Sequence, residues 1–222
     1  MFLIPVGDVT YAEIEDLIVR QVPESDRVEF KGHLPGDGAE QRWNESRDID
    51  RAAKKKLLGE VVALANSYGG YVVVGIEESD MSPPTAAHVN NIADAADLAG
   101  RLERSAGDLV SPHVIGLRFL AICPDQGSDG VVVIHVPRSR LAPHRLELNK
   151  ECYVRRGEES VRMTMREIRD MSILAERLDS LVDRSIFDLR TTAEARRRAI
   201  TTLGAAGKRF VEVVAVPADP ER

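Results

Sequence analysis

The hydrophobic patterning predicts an α/β (α+β) fold, a mixed β-sheet flanked by helices with a helical appendage at the C-terminal end. Three observations carry this. Residues 71–76 form a continuously apolar run of strand length, as a strand buried on both faces should. Just before it, Leu57, Leu58, Val61, Val62 and Ala65 recur at helical spacing. Toward the end of the chain, Thr164-x-x-Glu167 and Thr191-x-x-Glu194 are capping-box patterns that each open a helix.

The elements follow in order. Thr10-x-x-Glu13 opens a first helix through Ile14, Leu17 and Ile18, and Pro23 ends it by Gln21. Residues 28–31 alternate apolar and polar, the mark of a strand with one buried face. The polar, glycine-rich stretch 32–47 reads as a long loop. Asp48 or Asp50 caps the next helix, which runs to about Ala65, and Gly69-Gly70 supplies the positive φ that ends it. Residues 79–91, with Pro83-Pro84, read as a loop, followed by a helix over 92–107. Strands over 114–122 and 131–136 form a hairpin, 138–149 is a basic loop, and 151–155 is a short strand. Helices over 164–188 and 191–206 come next, then a strand over 210–216 and a frayed tail. The expected domains are 1–162, the α/β body, and 163–222, the helical extension with its terminal strand.

At 222 residues, with 43% hydrophobic and 30% charged residues, the chain can bury a full core. Two cysteines are too few for a disulfide framework or a four-cysteine zinc site. The first residues lack the basic flank and long apolar core of a signal peptide, and no apolar run approaches membrane-spanning length. A cytoplasmic protein with no membrane association is therefore expected. The net charge of −6 argues against a surface coated in positive charge but leaves room for a local basic groove.

Chemistry concentrates in two stretches, Glu24-Ser25-Asp26-Arg27-Val28-Glu29-Phe30-Lys31 and the run from Ala65-Asn66-Ser67-Tyr68-Gly69-Gly70 to Gly75-Ile76-Glu77-Glu78. Glu29 and Lys31 share one face of a strand. Glu24, five residues before Glu29, joins them only if the chain bends at Pro23 and Ser25. If the two strands are neighbours, these acids meet Glu77 or Glu78 beside a lysine, a hard-oxygen set suited to Mg²⁺ or Mn²⁺. Arg51, Lys54, Lys55 and Lys56 crowd the first turns of a helix, where cations oppose the macrodipole, so something other than helix stability favours them there. Arg138, His144, Arg155 and Arg156 are further candidates for nucleic-acid contact. There is no phosphate-binding loop, dinucleotide fingerprint or nucleophile elbow.

Those two stretches, followed by the 131–137 strand and Tyr153-Val154-Arg155-Arg156-Gly157-Glu158-Glu159-Ser160, resemble in order and spacing the Schlafen AlbA_2 domain (divergent AAA-4) family across roughly residues 12–175. The resemblance implies a Schlafen-core lobe acting as a divalent-metal-dependent endoribonuclease on structured RNA such as tRNA, with DNA as a second candidate partner. Carried over by position, Glu24, Glu29 and Glu77 would hold Mg²⁺ or Mn²⁺, with Lys31 beside the developing charge. Glu77 stands where the family has aspartate. A single lobe implies a homodimer to build an RNA-sized groove, with the C-terminal helices as the interface. The competing expectation is a non-catalytic DNA- or RNA-binding, or nucleotide-binding, module of a regulator.

Overall fold

The computed structural model describes residues 6–124 and 127–202. In chain order the elements are α1 (Tyr11–Val19), β1 (Val28–Lys31), α2 (Ala39–Ser46), α3 (Arg51–Ala65), β2 (Gly70–Val74), β3 (Ile76–Glu78) and β4 (Ala86–Val89). There follow α4 (Ala95–Leu109), β5 (Val110–Ser111), β6 (Arg118–Ile122), β7 (Val131–Val136), β8 (Arg145–Leu146), β9 (Tyr153–Arg156), β10 (Glu159–Arg162) and α5 (Met165–Thr202). The chain divides into two compact units, Met1–Arg169 and Asp170–Arg222.

The first unit is built on a mixed four-stranded sheet in the order β1-β2-β7-β6. β1 runs parallel to β2, with Glu29 opposite Val72 and Lys31 opposite Val74. β7 is antiparallel to both β2 and β6. Strand periodicity sends alternate side chains to two cores. Val72, Val74, Val132 and Ile134 pack with Leu57, Leu58, Val61 and Val62 of α3 and with Leu98 and Leu102 of α4. On the other face Phe30, Val73, Val131 and Val133 pack with Ile14 and Leu17 of α1. This is why β2 reads as continuously apolar.

The expected capping box at α1 forms, with the Glu13 carboxylate accepting Thr10 N–H at 2.8 Å. Asp50 caps α3 by accepting Ala53 N–H at 2.6 Å. The glycine pair ahead of β2 is a requirement of packing. A Cβ on Gly70 would stand 2.1 Å from the Arg27 carbonyl oxygen, so only glycine lets β1 and β2 come together here.

Several elements depart from expectation. Stretch 32–47 contains α2, which tertiary contact holds in place: Trp43 is fully buried and its Nε1–H donates to the Ala93 carbonyl at 2.7 Å. The apolar run after Gly70 breaks at Gly75, whose φ is +104°, and resumes as β3 in a separate hairpin with β4. β10 pairs with β9, giving a hairpin where a lone strand was expected. The two C-terminal helices are one helix, α5. Thr191 and Thr192 donate their hydroxyls to the carbonyls of Phe187 and Asp188 and so sit inside the helix without capping a new one. The strand expected over 210–216 lies outside the described residues. Among the described residues no helix is long and apolar enough to cross a membrane.

Candidate functional site

The two chemistry-bearing stretches meet because β1 and β2 are neighbours. Glu29 and Lys31 project from the same face of β1, opposite buried Phe30, and Lys31 Nζ lies 2.6 Å from Glu29 Oε1. The chain bends between Glu24 and Glu29: Ser25 and Val28 pair with each other, with Ser25 N–H donating to the Val28 carbonyl at 3.1 Å. Glu24 N–H is tied to the Pro84 carbonyl at 2.8 Å, and the turn brings Glu24 Oε1 to the Phe30 N–H at 2.8 Å. Glu24 and Glu29 are thereby both buried beside one lysine.

The third acid at this cluster is Glu78. Its Oε1 lies 3.2 Å from Lys31 Nζ. Glu77, expected in that place, instead faces His33, with Oε1 3.3 Å from His33 Nε2. It also packs over Gly32, where an added Cβ would stand 2.6 Å from the Glu77 Cγ. The cause is local: Gly75 interrupts the strand, alternation sends successive residues of β3 to opposite sides, and the register with β4 shifts between Glu77 and Glu78.

Two residues that the sequence reading left out complete the cluster. Glu60 of α3 and Ser160 of β10 close around Arg155, and the Ser160 hydroxyl donates to Glu60 Oε2. The Arg155 side chain is fully buried; Nη1 donates to Glu29 Oε2 and to Glu60 Oε2, each at 2.8 Å. Nη2 donates to the Ser25 carbonyl at 2.8 Å, pinning the turn that carries Glu24. Arg155 itself is held by Ser67, whose Oγ accepts its N–H at 2.9 Å. Next to Ser67, Asn66 accepts His144 N–H at 2.6 Å and donates to the carbonyls of His144 and Tyr153, each at 2.9 Å. Glu60 lies one helical step from the buried Leu57 stripe, and that adjacency was the signal available for it.

Four carboxylates therefore surround two cations. Burial pushes the Glu24 carboxyl up to about 7, with Glu29 and Glu78 adding to the rise and the Phe30 N–H and Lys31 opposing it. Burial, then the Glu29 charge, raise Glu60, against the hydroxyl of Ser160 and the charge of Arg155. For Lys31 burial works against the charged form, but Glu29, Glu78 and Glu24 outweigh it and its pKa is raised. Lys31 is thus a firmly charged ammonium in the middle of the acids, and Glu24 is a group that exchanges protons near neutrality.

Glu24, Glu29 and Glu78 have the hard-oxygen chemistry that suits Mg²⁺ or Mn²⁺. Their arrangement does not fit such an ion, because both Glu29 oxygens are taken by Lys31 and Arg155 and the cation among them is the ammonium of Lys31. Among the described residues no group of three His, Cys, Asp or Glu side chains is disposed to hold a metal ion.

The basic candidates separate in the same way. Lys54, Lys55 and Lys56 have no ion pair among the described residues; Lys55 and Lys56 are exposed and Lys54 is half-buried. Lys56 is one turn ahead of Glu60, about 6 Å along the helix axis. Arg51 Nη2 donates to the Leu148 carbonyl at 3.0 Å, and Arg138 is exposed just after β7. Arg156 is exposed and lies 2.5 Å from Glu167. Arg155 and His144, expected at a nucleic-acid surface, are interior groups. His144 is fully buried, with Nδ1 2.7 Å from the Pro112 carbonyl, and burial pushes its imidazole below the usual range.

Residues 24–164 match the Schlafen, AlbA_2 family model, and the chain belongs to that family. No curated protein matches the chain. Among solved structures it is similar to the DIP2311 protein from Corynebacterium diphtheriae, at 19% identity and a TM-score of 0.41 over 69% of this chain and 30% of that one. It is also similar to the N-terminal domain of a DNA helicase RecG-related protein from Nitrosomonas europaea, at 16% identity and a TM-score of 0.41 over 59% of this chain and 74% of that one.

Proposed function

We propose that this chain is an endoribonuclease acting on structured RNA such as tRNA, with the carboxylate cluster around Lys31 as its active centre. The observation that carries the reading is the convergence of Glu24, Glu29 and Glu78, from separate stretches of chain, on one lysine beside an open cleft. The chain's own residues offer two kinds of chemistry. Glu24, titrating near 7, can take or give a proton close to neutral pH, where general acid–base catalysis is most effective. Lys31 supplies a fixed positive charge to offset negative charge developing on a phosphate. The free lysines of α3 would hold the flanking backbone, making affinity fall with salt.

Dependence on Mg²⁺ or Mn²⁺ is a separate matter for experiment, because the Glu29 oxygens are already taken by Lys31 and Arg155. The direct test is cleavage of labelled tRNA by the chain with Mn²⁺, with Mg²⁺ and with chelator. Cleavage that disappears in Glu29→Ala supports the proposal.

A second reading has its own observation. The two short ion pairs of Glu29 are what a purely structural charge cluster would show, which favours a non-catalytic RNA- or DNA-binding module. Salt-sensitive RNA binding with no cleavage under any metal condition selects this reading over the first. Dimerisation and a cytoplasmic location belong to the proposal on the same footing, and sedimentation of the purified chain tests the first.

A further inference from the structure

Beside the carboxylate cluster lies a cleft of about 770 Å³, lined among others by Glu24, Asp26, Tyr68, Arg155, Arg156 and Glu158. That volume is in the ~300–1,000 Å³ range of ligand sites. Two features make its chemistry unlike that of a phosphate site. Its cations are committed: Arg155 to Glu29, Glu60 and the Ser25 carbonyl, Arg156 to Glu167. The carboxylate of half-buried Asp26, by contrast, has no hydrogen-bond or ion-pair partner among the described residues.

The aromatic wall is Tyr68, which is 51% exposed although its backbone is firmly held. Its neighbours fix it: Ser67 Oγ accepts Arg155 N–H, and Gly69 N–H donates to the Leu64 carbonyl at 2.9 Å. The Arg27 guanidinium lies over one face of the ring, 5.5 Å from its centroid, and is not one of the residues lining the cleft, which leaves the opposite face for a base. An exposed ring on a held backbone is the kind of platform on which an unstacked base lies.

We propose that this cleft receives a single unstacked guanine base of a bound RNA, stacked on Tyr68 and read by Asp26. Guanine is the base whose Watson–Crick edge carries two adjacent donors, N1–H and the N2 amine, and an ionised carboxylate is an acceptor-only group with two oxygens to meet them. Adenine and cytosine offer one donor on that edge beside a ring acceptor, which a carboxylate repels. Uracil has a single N–H between two carbonyls. The Asp26 carboxylate repels phosphate, so the base and not its phosphate meets it. The inference rests on the nucleic-acid reading above and assigns Tyr68 and Asp26 as its specificity-determining residues.

The test is equilibrium binding of the full chain to fluorescein-labelled single-stranded RNAs that are oligo-adenylate apart from one central guanine, inosine or adenine. The wild-type chain is expected to bind the guanine RNA at least tenfold more tightly than the adenine RNA. The inosine RNA, which lacks the N2 amine, should fall between them. Asp26→Asn should erase the guanine preference while leaving the adenine RNA bound as before. Tyr68→Leu should weaken all three by about tenfold, whereas Tyr68→Phe, which keeps the stacking face, should bind as wild type. Equal affinity of the wild-type chain for the three RNAs, or a guanine preference that survives Asp26→Asn, overturns the base-reading proposal alone. Binding of none of the RNAs even at low salt overturns the nucleic-acid reading beneath it.

Discussion

The interior cluster and the first turns of α3 are both rich in cations, yet they behave as opposites. The Arg155 side chain is fully buried and donates hydrogen bonds to Glu29, Glu60, Ser160 and the Ser25 carbonyl. Lys55 and Lys56 stand in solvent with no ion pair among the described residues. The same formal charge therefore does different work. Buried cations belong to the fold, because removing one strands its partners away from water. Exposed ones hardly affect the fold and remain available to a ligand.

The largest effect that sharpens this contrast lies at Arg155. Arg155→Met should lower stability by about 3–5 kcal/mol in a denaturant titration, because it leaves Glu60 without its ion-pair partner and Glu29 with Lys31 alone. Arg155→Lys should recover only part of that, since a point charge cannot span Glu29, Glu60 and the Ser25 carbonyl together. The neighbouring Arg156→Met should change stability by no more than about 0.5 kcal/mol. Equal effects at the two arginines would break the distinction.

The next effect depends on pH. Glu24 ordinarily titrates near 4.5 and here near 7, so the folded chain binds more protons than the unfolded chain between those values. Glu24's contribution to stability is therefore complete below about 4.5 and is lost as pH rises toward 7. Glu24→Gln keeps a carbonyl for the Phe30 N–H without the charge. It should be close to neutral at pH 4.5 and stabilising by about 1–3 kcal/mol at pH 8, read from thermal melts across that range. A variant that tracks wild type at both pH values would show that Glu24 is not displaced from its ordinary range.

The smallest effect on stability is expected on α3. Replacing Lys54, Lys55 and Lys56 together by alanine should leave the fold intact or stabilise it by a few tenths of a kcal/mol, because cations at a helix N-terminus oppose its dipole. The same variant should reduce the slope of log affinity for RNA against log salt by about 2. An unchanged slope would remove these lysines from the interface.

Much of this arrangement was legible in the sequence, and where legibility ended has a physical reason. Glu29 and Lys31 share a face because strand periodicity is two, and the Gly69-Gly70 pair marks the place where two backbones touch. The choice between Glu77 and Glu78 could not be read, because the positive φ of Gly75 and the shift in register against β4 reset the alternation. Nor could Arg155 be told from Arg156. Which of two adjacent arginines turns inward depends on β9 pairing with β10, and β10 carries no apolar pattern of its own. α2 was hidden for a similar reason: its polar sequence has one strong anchor, Trp43, whose burial depends on α4 and its approach.

If the working acids are those gathered at Lys31, Glu78 matters and Glu77 does not. Cleavage of labelled tRNA by Glu78→Gln and Glu77→Gln, measured side by side with wild type in Mn²⁺, tests it most directly. Activity should be lost in Glu78→Gln and retained in Glu77→Gln. Activity lost in Glu77→Gln and kept in Glu78→Gln would contradict it.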